Sequence, residues 1–161
     1  MCAATKNQKD KTTDTTICVN KNGSRNYHLL ERYEAGLVLQ GTEVKSIRSG
    51  SVNLSDSYAV VEHGELYLQQ MNISPYTHGN RYNHNPLRQR KLLLHRREVN
   101  KLMGAIIEKG LTLVPTKLYW VQGRVKVELA LAKGKTKGDK RDDLKRRDAE
   151  REIDHAVKRN R

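Results

Sequence analysis

The stretch that decides the fold is Lys117–Leu131, KLYWVQGRVKVELAL. Its second half alternates between aliphatic residues and residues that are polar or small, which places four aliphatic side chains on one face: Val125, Val127, Leu129 and Leu131. A period of two predicts a β-strand that is buried on one side. Gln122-Gly123 suits a two-residue turn, so we expect this strand to form a hairpin with Lys117–Val121.

Other short segments also have the composition of strands. Tyr58–Val61 and Leu66–Met71 flank the polar segment Glu62–Glu65, which contains a glycine, and this order predicts a second hairpin. Leu37–Gln40 is a further strand candidate. The chain from 15 to 132 is therefore interpreted as a series of short strands that are separated by turns.

Two segments have the pattern of short helices. His95–Lys109 carries an apolar stripe at helical spacing, and Gly110 is a suitable helix end; the stripe consists of Val99, Leu102, Met103, Ile106 and Ile107. Thr42–Ser49 is predicted to be a shorter helix, with Thr42 as its N-cap and Gly50 at its end.

These elements predict a mainly β fold. Within that class, short strands, two short helices and glycine turns favour an OB-like closed antiparallel barrel with short flanking helices and a basic C-terminal tail. Composition alone does not separate this barrel from an open sandwich. The chain has 161 residues, which suffice for one domain with a core and a tail left over.

The chain divides into three parts by composition. Residues 1–14 are polar and lack periodicity, so we predict that they are disordered. Residues 15–132 form the predicted barrel with its helices. Residues 133–161 hold 12 Lys or Arg and 7 Asp or Glu with few large apolar residues. Acid-first pairs such as Asp142/Arg146 and Asp143/Arg147 favour a helix, so this tail is predicted to be disordered or weakly helical when free and to fold on a partner.

The net charge limits the class of partner. Lys and Arg number 31 against 18 Asp and Glu, a formal net charge of +13. So large a cationic excess attracts polyanions and disfavours self-association, and we expect a monomer. No apolar run is long enough for a membrane span, and the first sixteen residues lack the apolar core of a secretory signal. We therefore expect a cytoplasmic protein with a nucleic-acid partner and no membrane partner.

Enzyme motifs fail when they are checked residue by residue. Gly134-Lys135-Thr136 resembles the end of a phosphate-binding P-loop, but Leu129 occupies the position where that motif needs its first glycine. The six histidines and two cysteines show no spacing typical of metal ligands. We expect no catalytic residue, no metal and no cofactor, although a catalytic pair brought together only by folding stays open.

The densest basic stretch is 81–97, RYNHNPLRQRKLLLHRR. It contains six Lys or Arg and no acid. Tyr, Asn, His and Gln side chains lie between the cations, and such groups can stack on or hydrogen-bond to nucleotides. The apolar Leu92–Leu94 anchors the stretch to a core. An RNA-binding surface is therefore favoured over a merely solvated charged face.

Several segments resemble a known family in the same order along the chain. They are 33–48 (YEAGLVLQGTEVKSIR), 52–58 (VNLSDSY), 90–95 (RKLLLH), 118–120 (LYW), 131–135 (LAKGK) and 139–141 (DKR). Together they closely resemble the SsrA-binding protein (small protein B) family, and the likeness extends from about Ile17 to the C-terminus.

The resemblance implies an OB-like barrel that binds the tRNA-like domain of transfer-messenger RNA, or SsrA RNA. It implies delivery of this RNA to stalled bacterial ribosomes for trans-translation, which rescues the ribosome and tags incomplete proteins for degradation. The implied partners are this RNA, the ribosome through its small-subunit rRNA, decoding centre and mRNA channel, and elongation factor Tu bound to the same RNA.

The resemblance also assigns residues. It places RNA binding on Glu34, Leu93 and His95 and, through an Asn-Lys pair, on Asn20 and Lys21. We add five cations as RNA-binding candidates, from the matching segments and from the polar face of the 124–131 strand: Lys45, Arg48, Arg90, Lys91 and Lys126. For the ribosome-contacting tail, the resemblance implies Lys133, Gly134, Lys135, Asp139, Lys140 and Arg141.

One position departs from the family pattern. The residue before Asp139 is usually aromatic or His in the family, whereas this chain has Gly138. A stacking contact in the decoding centre is then missing or supplied elsewhere.

Three assigned residues keep alternative interpretations. Glu34 would repel phosphate, so it suits RNA binding only if it accepts hydrogen bonds from bases or orients a neighbouring Arg; otherwise it is an ordinary strand residue. Leu93 suits a core position or an apolar platform for a base. His95 stands where a helix begins and could simply cap it.

Two other functions remain as competitors. A ribosomal protein with a basic tail would be equimolar with purified ribosomes. A nucleic-acid-processing enzyme would show turnover without added partners.

Overall fold

The computed structural model describes residues 15–159, and the predicted disorder of residues 1–14 lies outside this range. Nine strands and four helices are present in the described range. The strands are β1 (Thr15–Val19), β2 (Tyr27–Leu37), β3 (Val52–Asn53), β4 (Tyr58–Glu62), β5 (Glu65–Gln69), β6 (Asn72–Ile73), β7 (Arg90–Leu93), β8 (Thr112–Val121) and β9 (Arg124–Gly134). The helices are α1 (Lys21–Asn26), α2 (Gly41–Arg48), α3 (Arg96–Lys109) and α4 (Lys137–Arg159), and Asn80–Tyr82 forms a short 3-10 turn.

Six antiparallel strands pair in a closed ring. The order around the ring is β8–β4–β5–β7–β2–β9, and β9 pairs back onto β8. Strand β1 extends the sheet from β8, while β3 and β6 form a separate two-stranded sheet. The prediction of a mainly β fold with flanking helices is confirmed.

Both predicted hairpins are present with tight two-residue turns. Gln122 and Gly123 have φ values of 47° and 75°, and His63 and Gly64 have φ values of 52° and 75°. Positive φ at both turn residues is the type I′ geometry that fits the twist of paired strands, and glycine adopts it at little steric cost. The turn at Gln122-Gly123 brings Tyr119 opposite Lys126.

The helices agree with the predictions to within a residue or two. His95 is the N-cap of α3, and its backbone N–H donates to a Glu98 carboxylate oxygen at 3.1 Å. The predicted cap of α2 was wrong, because the helix begins at Gly41 and Gln40 is its N-cap. The Gln40 N–H donates to the Glu43 carboxylate at 2.7 Å, so the acid of the first turn closes this helix end.

The predicted strand Leu37–Gln40 overlaps the observed strand β2 only at Leu37. Strand β2 begins at Tyr27 and ends at Leu37, and Val38 to Gln40 connect it to α2. The pairing of β2 with β9 is interrupted by a register shift between Leu29 and Arg32. This bulge breaks the alternation along β2, which explains why the strand lacks a clear period of two.

The core lies inside the strand ring. The four aliphatic residues that define the predicted buried face of β9 all lie in it, together with Leu66, Leu68, Leu113 and Leu118. Val99 and Leu102 bring α3 onto this core. Among the residues that the structure describes, no helix is both long and apolar enough to cross a membrane.

The tail continues from β9 as a helix. Strand β9 extends to Gly134, beyond the predicted boundary at 132, and α4 then occupies Lys137–Arg159. The Thr136 N–H donates to Asp139 at 3.0 Å and the Asp139 N–H donates to the Thr136 hydroxyl at 3.3 Å, a reciprocal cap at the start of α4. Disorder or weak helicity in the free protein stays a prediction.

Candidate nucleic-acid interface

A groove on the outside of the ring brings together five of the predicted RNA-binding residues. It has a volume of about 630 Å³ and lies between β2, β7, β9 and the start of α3. The five residues come from separate parts of the sequence: Glu34, Lys91, Leu93, His95 and Lys126. We refer to this site as the Glu34 groove.

Glu34 is held by two donors in this groove. The Tyr119 hydroxyl donates to Oε2 and the Lys126 ammonium donates to Oε1 at 3.0 Å. The hydrogen bond from Tyr119, followed by that from Lys126, lowers the pKa of the Glu34 carboxyl below its ordinary value. Glu34 is therefore a fixed carboxylate on the surface, and the group that it orients is a Lys rather than an Arg.

Leu93 and His95 lie where β7 passes into α3. The Leu93 side chain is 51% exposed, so it is an apolar surface residue and not part of the core. His95 is exposed, and its backbone N–H donates to Glu98 at the start of α3. The chain therefore presents an apolar group and an imidazole next to the Glu34 carboxylate.

A smaller cleft adjoins the groove at the end of the strand ring. Its volume is about 370 Å³, and it shares Leu93 and Lys126 with the Glu34 groove. The predicted cations Lys45 and Arg48 are exposed on α2, and the Lys45 ammonium lies 5.4 Å from the centroid of the Tyr76 ring. Arg48 lies 5.8 Å from the centroid of the Trp120 ring, at cation–π distance.

Two predicted RNA-binding residues are buried instead. Arg90 is 0% exposed, and its guanidinium donates to Glu43 and to the backbone carbonyls of Met71, Arg88 and Pro86. A group enclosed in this way holds the fold together, so the prediction of a direct RNA contact for Arg90 is corrected.

Asn20 is only 4% exposed, and its position is likewise structural. Its side chain accepts from the Gly23 N–H at 3.0 Å and donates to the Pro115 carbonyl at 2.9 Å, so it caps α1 and ties that helix to β8. The neighbouring Lys21 is exposed. The predicted Asn-Lys pair is thus split between a buried amide and a surface cation.

The basic stretch 81–97 is not a continuous cationic surface. Arg88 and Arg90 both pair with the buried carboxylate of Glu43, at 2.6 and 2.9 Å. Lys91 pairs with Glu65 at 2.5 Å, and Arg96 donates to the Gly64 carbonyl at 3.0 Å. Much of the charge that suggested an RNA surface is therefore engaged within the chain.

The tail motifs also divide between anchoring and exposed residues. The Lys135 ammonium pairs with Asp143 at 2.5 Å and donates to the Ser24 carbonyl at 2.9 Å, which fixes the start of α4 against α1. Gly134 pairs with Tyr27 at the end of β9, and Asp139 helps to cap α4. The remaining tail candidates are exposed: Lys133, Lys140 and Arg141.

Two contributors to these sites were missed from the sequence. Tyr119 received no role of its own from the sequence, although its hydroxyl is the closest partner of Glu34. Glu43 received no role, although its carboxylate organises Arg88, Arg90 and the start of α2. The spacing Gln40–Glu43 ahead of an apolar helix residue was a usable capping signal for Glu43, whereas its pairing with Arg90 has no local signal.

A known family matches nearly the whole described range. The family model described as SmpB protein matches residues 17–159. A relative named SsrA-binding protein from Geobacillus kaustophilus (strain HTA426) is 63% identical over 142 residues, which is 88% of this chain and 92% of that protein. A relative of the same name from Bacillus subtilis (strain 168) is 56% identical over 148 residues, 92% of this chain and 95% of that protein.

A solved structure is similar as well. One chain of the structure described as "tmRNA-SmpB: a journey to the center of the bacterial ribosome" is 46% identical to this chain with a TM-score of 0.64. The similarity covers 79% of this chain and 93% of the solved one. Sequence and structure comparisons thus agree.

Proposed function

The chain belongs to the SmpB family of SsrA-binding proteins, and from that membership we propose that it binds the tRNA-like domain of transfer-messenger RNA. It delivers this RNA to stalled ribosomes for trans-translation, in which incomplete proteins are tagged for degradation. The protein acts by binding, without catalysis, and it acts in the cytoplasm. The relatives are named SsrA-binding protein, and the description of the similar solved structure names tmRNA-SmpB and the bacterial ribosome.

The observation that carries this proposal is the Glu34 groove. Glu34, Leu93 and His95 are the three residues that the family resemblance assigned to RNA binding, and they line one groove although they come from β2, β7 and the cap of α3. An acceptor, an apolar surface and an imidazole in one place suit the edge and face of unstacked nucleotides, which is how single-stranded parts of a folded RNA are recognised.

The fold that supports this function is an OB-like closed barrel. The support is the pairing of six antiparallel strands into a ring around a single core. Barrels of this type present one outer face to nucleic acid. In the present chain that face holds the Glu34 groove.

The predicted RNA-binding cations have different roles according to their position. Lys91 and Lys126 contact phosphates in the groove that they line, and Arg48 contacts phosphate at the adjoining cleft, where it lies over Trp120. Lys45 is exposed on α2 and offers a further phosphate contact. Lys21 lies apart from the groove on α1 and offers a separate phosphate contact. Asn20 and Arg90 support the interface from the interior.

The tail acts on the ribosome. Helix α4 is basic and largely exposed, which suits small-subunit rRNA in the decoding centre and the mRNA channel. Lys133, Lys140 and Arg141 make the contacts, while Gly134, Lys135 and Asp139 fix the point from which the helix departs. The protein is a monomer and shares its RNA with elongation factor Tu.

Competition binding tests the RNA specificity. Labelled tRNA-like RNA is bound to the full chain at about 150 mM salt, where the Debye length is roughly 8 Å, and is displaced with unlabelled RNA or duplex DNA. We expect the RNA to compete much better than the DNA. Equal competition would reduce the interface to nonspecific charge attraction. Equimolar chain in purified ribosomes would favour a permanent ribosomal protein instead.

Truncation tests the division between body and tail. Because β9 extends to Gly134 and Lys135 donates to the Ser24 carbonyl of the body, the deletion should remove residues 137–161, which carry a formal charge of +3. We expect the ring to stay folded, RNA affinity to stay near normal and ribosome rescue to be abolished. A rescue defect that disappears when excess truncated protein is added would contradict this division, because concentration offsets lost affinity but not a lost decoding-centre element.

A further inference from the structure

The cleft beside the Glu34 groove has a composition that the groove lacks. It lies where the end of β2, α2 and the β8–β9 turn meet, and we name it the Trp120 slot. Its lining is mainly apolar: Leu37, Leu39, Val44, Leu93, Trp120 and Val125. Among the described residues, the charged ones that line the slot are Arg124 and Lys126, and no acidic residue lines it.

From this geometry we propose that the Trp120 slot binds one unstacked nucleobase of the RNA, in addition to the contacts in the Glu34 groove. The inference rests on the proposed RNA binding and adds a second subsite to it. Aromatic and aliphatic walls stack on the flat face of a base, and nearby cations contact the phosphates on either side.

Charge selects this occupant over other apolar groups. Arg124 and Lys126 line the slot, and Arg48 lies over the Trp120 ring at 5.8 Å. An apolar cleft bordered by three cations complements a ligand that joins an apolar ring to anionic groups, which is the chemistry of a nucleotide. A volume of about 370 Å³ lies at the lower end of the range for small-ligand clefts.

A glycine in the interior of β2 lets the Leu93 side chain lie close to the backbone beside the slot. Gly36 pairs with Leu93 on one side and with Lys126 on the other, and all three residues line the slot. A Cβ at position 36 would lie only 3.3 Å from the Leu93 Cβ. Glycine weakens a strand interior and often marks a place where another group approaches the backbone closely. At Gly36 the group that approaches is the Leu93 side chain, and Gly36 thereby allows Leu93 to form one wall of the slot.

The unique tryptophan gives a direct test. Trp120 is the only Trp in the 161 residues, so its emission reports on this slot alone. The full chain is titrated with the tRNA-like RNA fragment, and affinity is measured in parallel by a method that does not use fluorescence. We expect strong quenching of Trp120 with the same midpoint as binding. Full binding with unchanged emission overturns the slot but leaves the proposed function standing, whereas absence of binding removes both.

A filling substitution gives a second test. Val44→Phe places a ring in the slot without a change of charge, and Phe and Val have similar helix propensity. We expect RNA affinity to fall about tenfold, the scale of one lost stacking contact, with quenching lost and the salt dependence of binding unchanged. Ile107→Phe on the 75% exposed surface of α3 is the matched control. If Val44→Phe binds and quenches as the wild-type chain does, the slot is not a base site.

Discussion

Two glutamates nine residues apart show how the same charge serves different ends. Glu43 is fully buried and pairs with Arg88 and Arg90, whereas Glu34 is half exposed and is held by Lys126 and Tyr119. Both carboxylates have a pKa below the ordinary value. Hydrogen bonds from Tyr119 and Lys126 lower the pKa of Glu34, whereas burial raises the pKa of Glu43 but is outweighed by its contacts with Arg88, Gln40 and Arg90. Both glutamates are paired with cations, so the two sites differ in burial and not in charge pairing. Glu43, Arg88 and Arg90 form a buried structural cluster, whereas Glu34 lies in the candidate site.

The same distinction exists between neighbours on one strand. Arg90 and Lys91 are consecutive on β7, but Arg90 is buried against Glu43 and Lys91 lines the Glu34 groove. Successive side chains of a strand point to opposite faces. A basic motif on a strand therefore contributes only every second cation to a binding surface, and the other cations need a buried partner.

The largest effect is expected from breaking the buried cluster. Glu43→Gln leaves Arg88 and Arg90 without a counter-charge and should cost about 3–5 kcal/mol of unfolding free energy. Urea unfolding measures the loss. Glu34→Gln is the matched control, and it should cost less than about 1 kcal/mol because its ion pair is exposed. Similar losses of unfolding free energy in the two variants would contradict the conclusion that burial distinguishes the two glutamates.

A smaller effect, on binding rather than folding, is expected at the groove. Glu34→Ala removes an acceptor that is fixed at the surface, and we expect RNA affinity to weaken by about 1.5–3 kcal/mol with little change in melting temperature. Glu31→Ala removes a carboxylate of similar exposure from the same strand. If the Glu31 variant loses as much affinity, general charge and not the groove determines binding.

Acid titration should reveal how much the ionised Glu43 carboxylate contributes to stability. The pKa of Glu43 in the folded chain lies below its unfolded value of 4.5, because hydrogen bonds from Arg88 and Gln40 and the charge of Arg90 outweigh the effect of burial. Its stabilisation is complete above that value and is lost as pH falls through the folded pKa, with a slope of at most about 1.4 kcal/mol per pH unit. The slope should be flatter in Glu43→Gln than in wild type.

The smallest effect is expected at the helix cap. His95→Ala keeps the backbone N–H that donates to Glu98, so α3 should remain intact. RNA affinity should fall by about 1 kcal/mol, the scale of one lost hydrogen bond. Binding and thermal melting are measured on the same sample. A loss of melting temperature without a loss of affinity would assign the imidazole to the fold.

Much of the fold was predictable where the signal is local. The hairpin 117–131 follows from alternation and a turn glycine, and α3 follows from its apolar stripe. Strand β2 was not found in full, because the bulge between Leu29 and Arg32 removes its period of two. Closure of the ring depends on a single β4–β8 pairing, Ala59 with Leu113, which has no sequence signal.

The candidate site was predictable only with family resemblance. Residues alone left Glu34, Leu93 and His95 with alternative roles, and the structure brings the three together. The burial of Arg90 was not predictable, because its partner Glu43 lies 47 positions away in the sequence. A run of cations in a sequence indicates an exposed surface, and only the tertiary contacts show which of these cations point into the interior.

The anchored start of α4 gives the tail a direction. Twenty-three helical residues extend about 35 Å at 1.5 Å per residue, and the Lys135–Asp143 pair with the Thr136–Asp139 cap fixes one end to the body. A flexible chain of the same length, attached at the same point, would occupy a much larger volume before it met a partner. A helix that is fixed to the body at one end has few orientations available to it. Much of the orientational entropy that docking costs is therefore lost before the tail meets its partner.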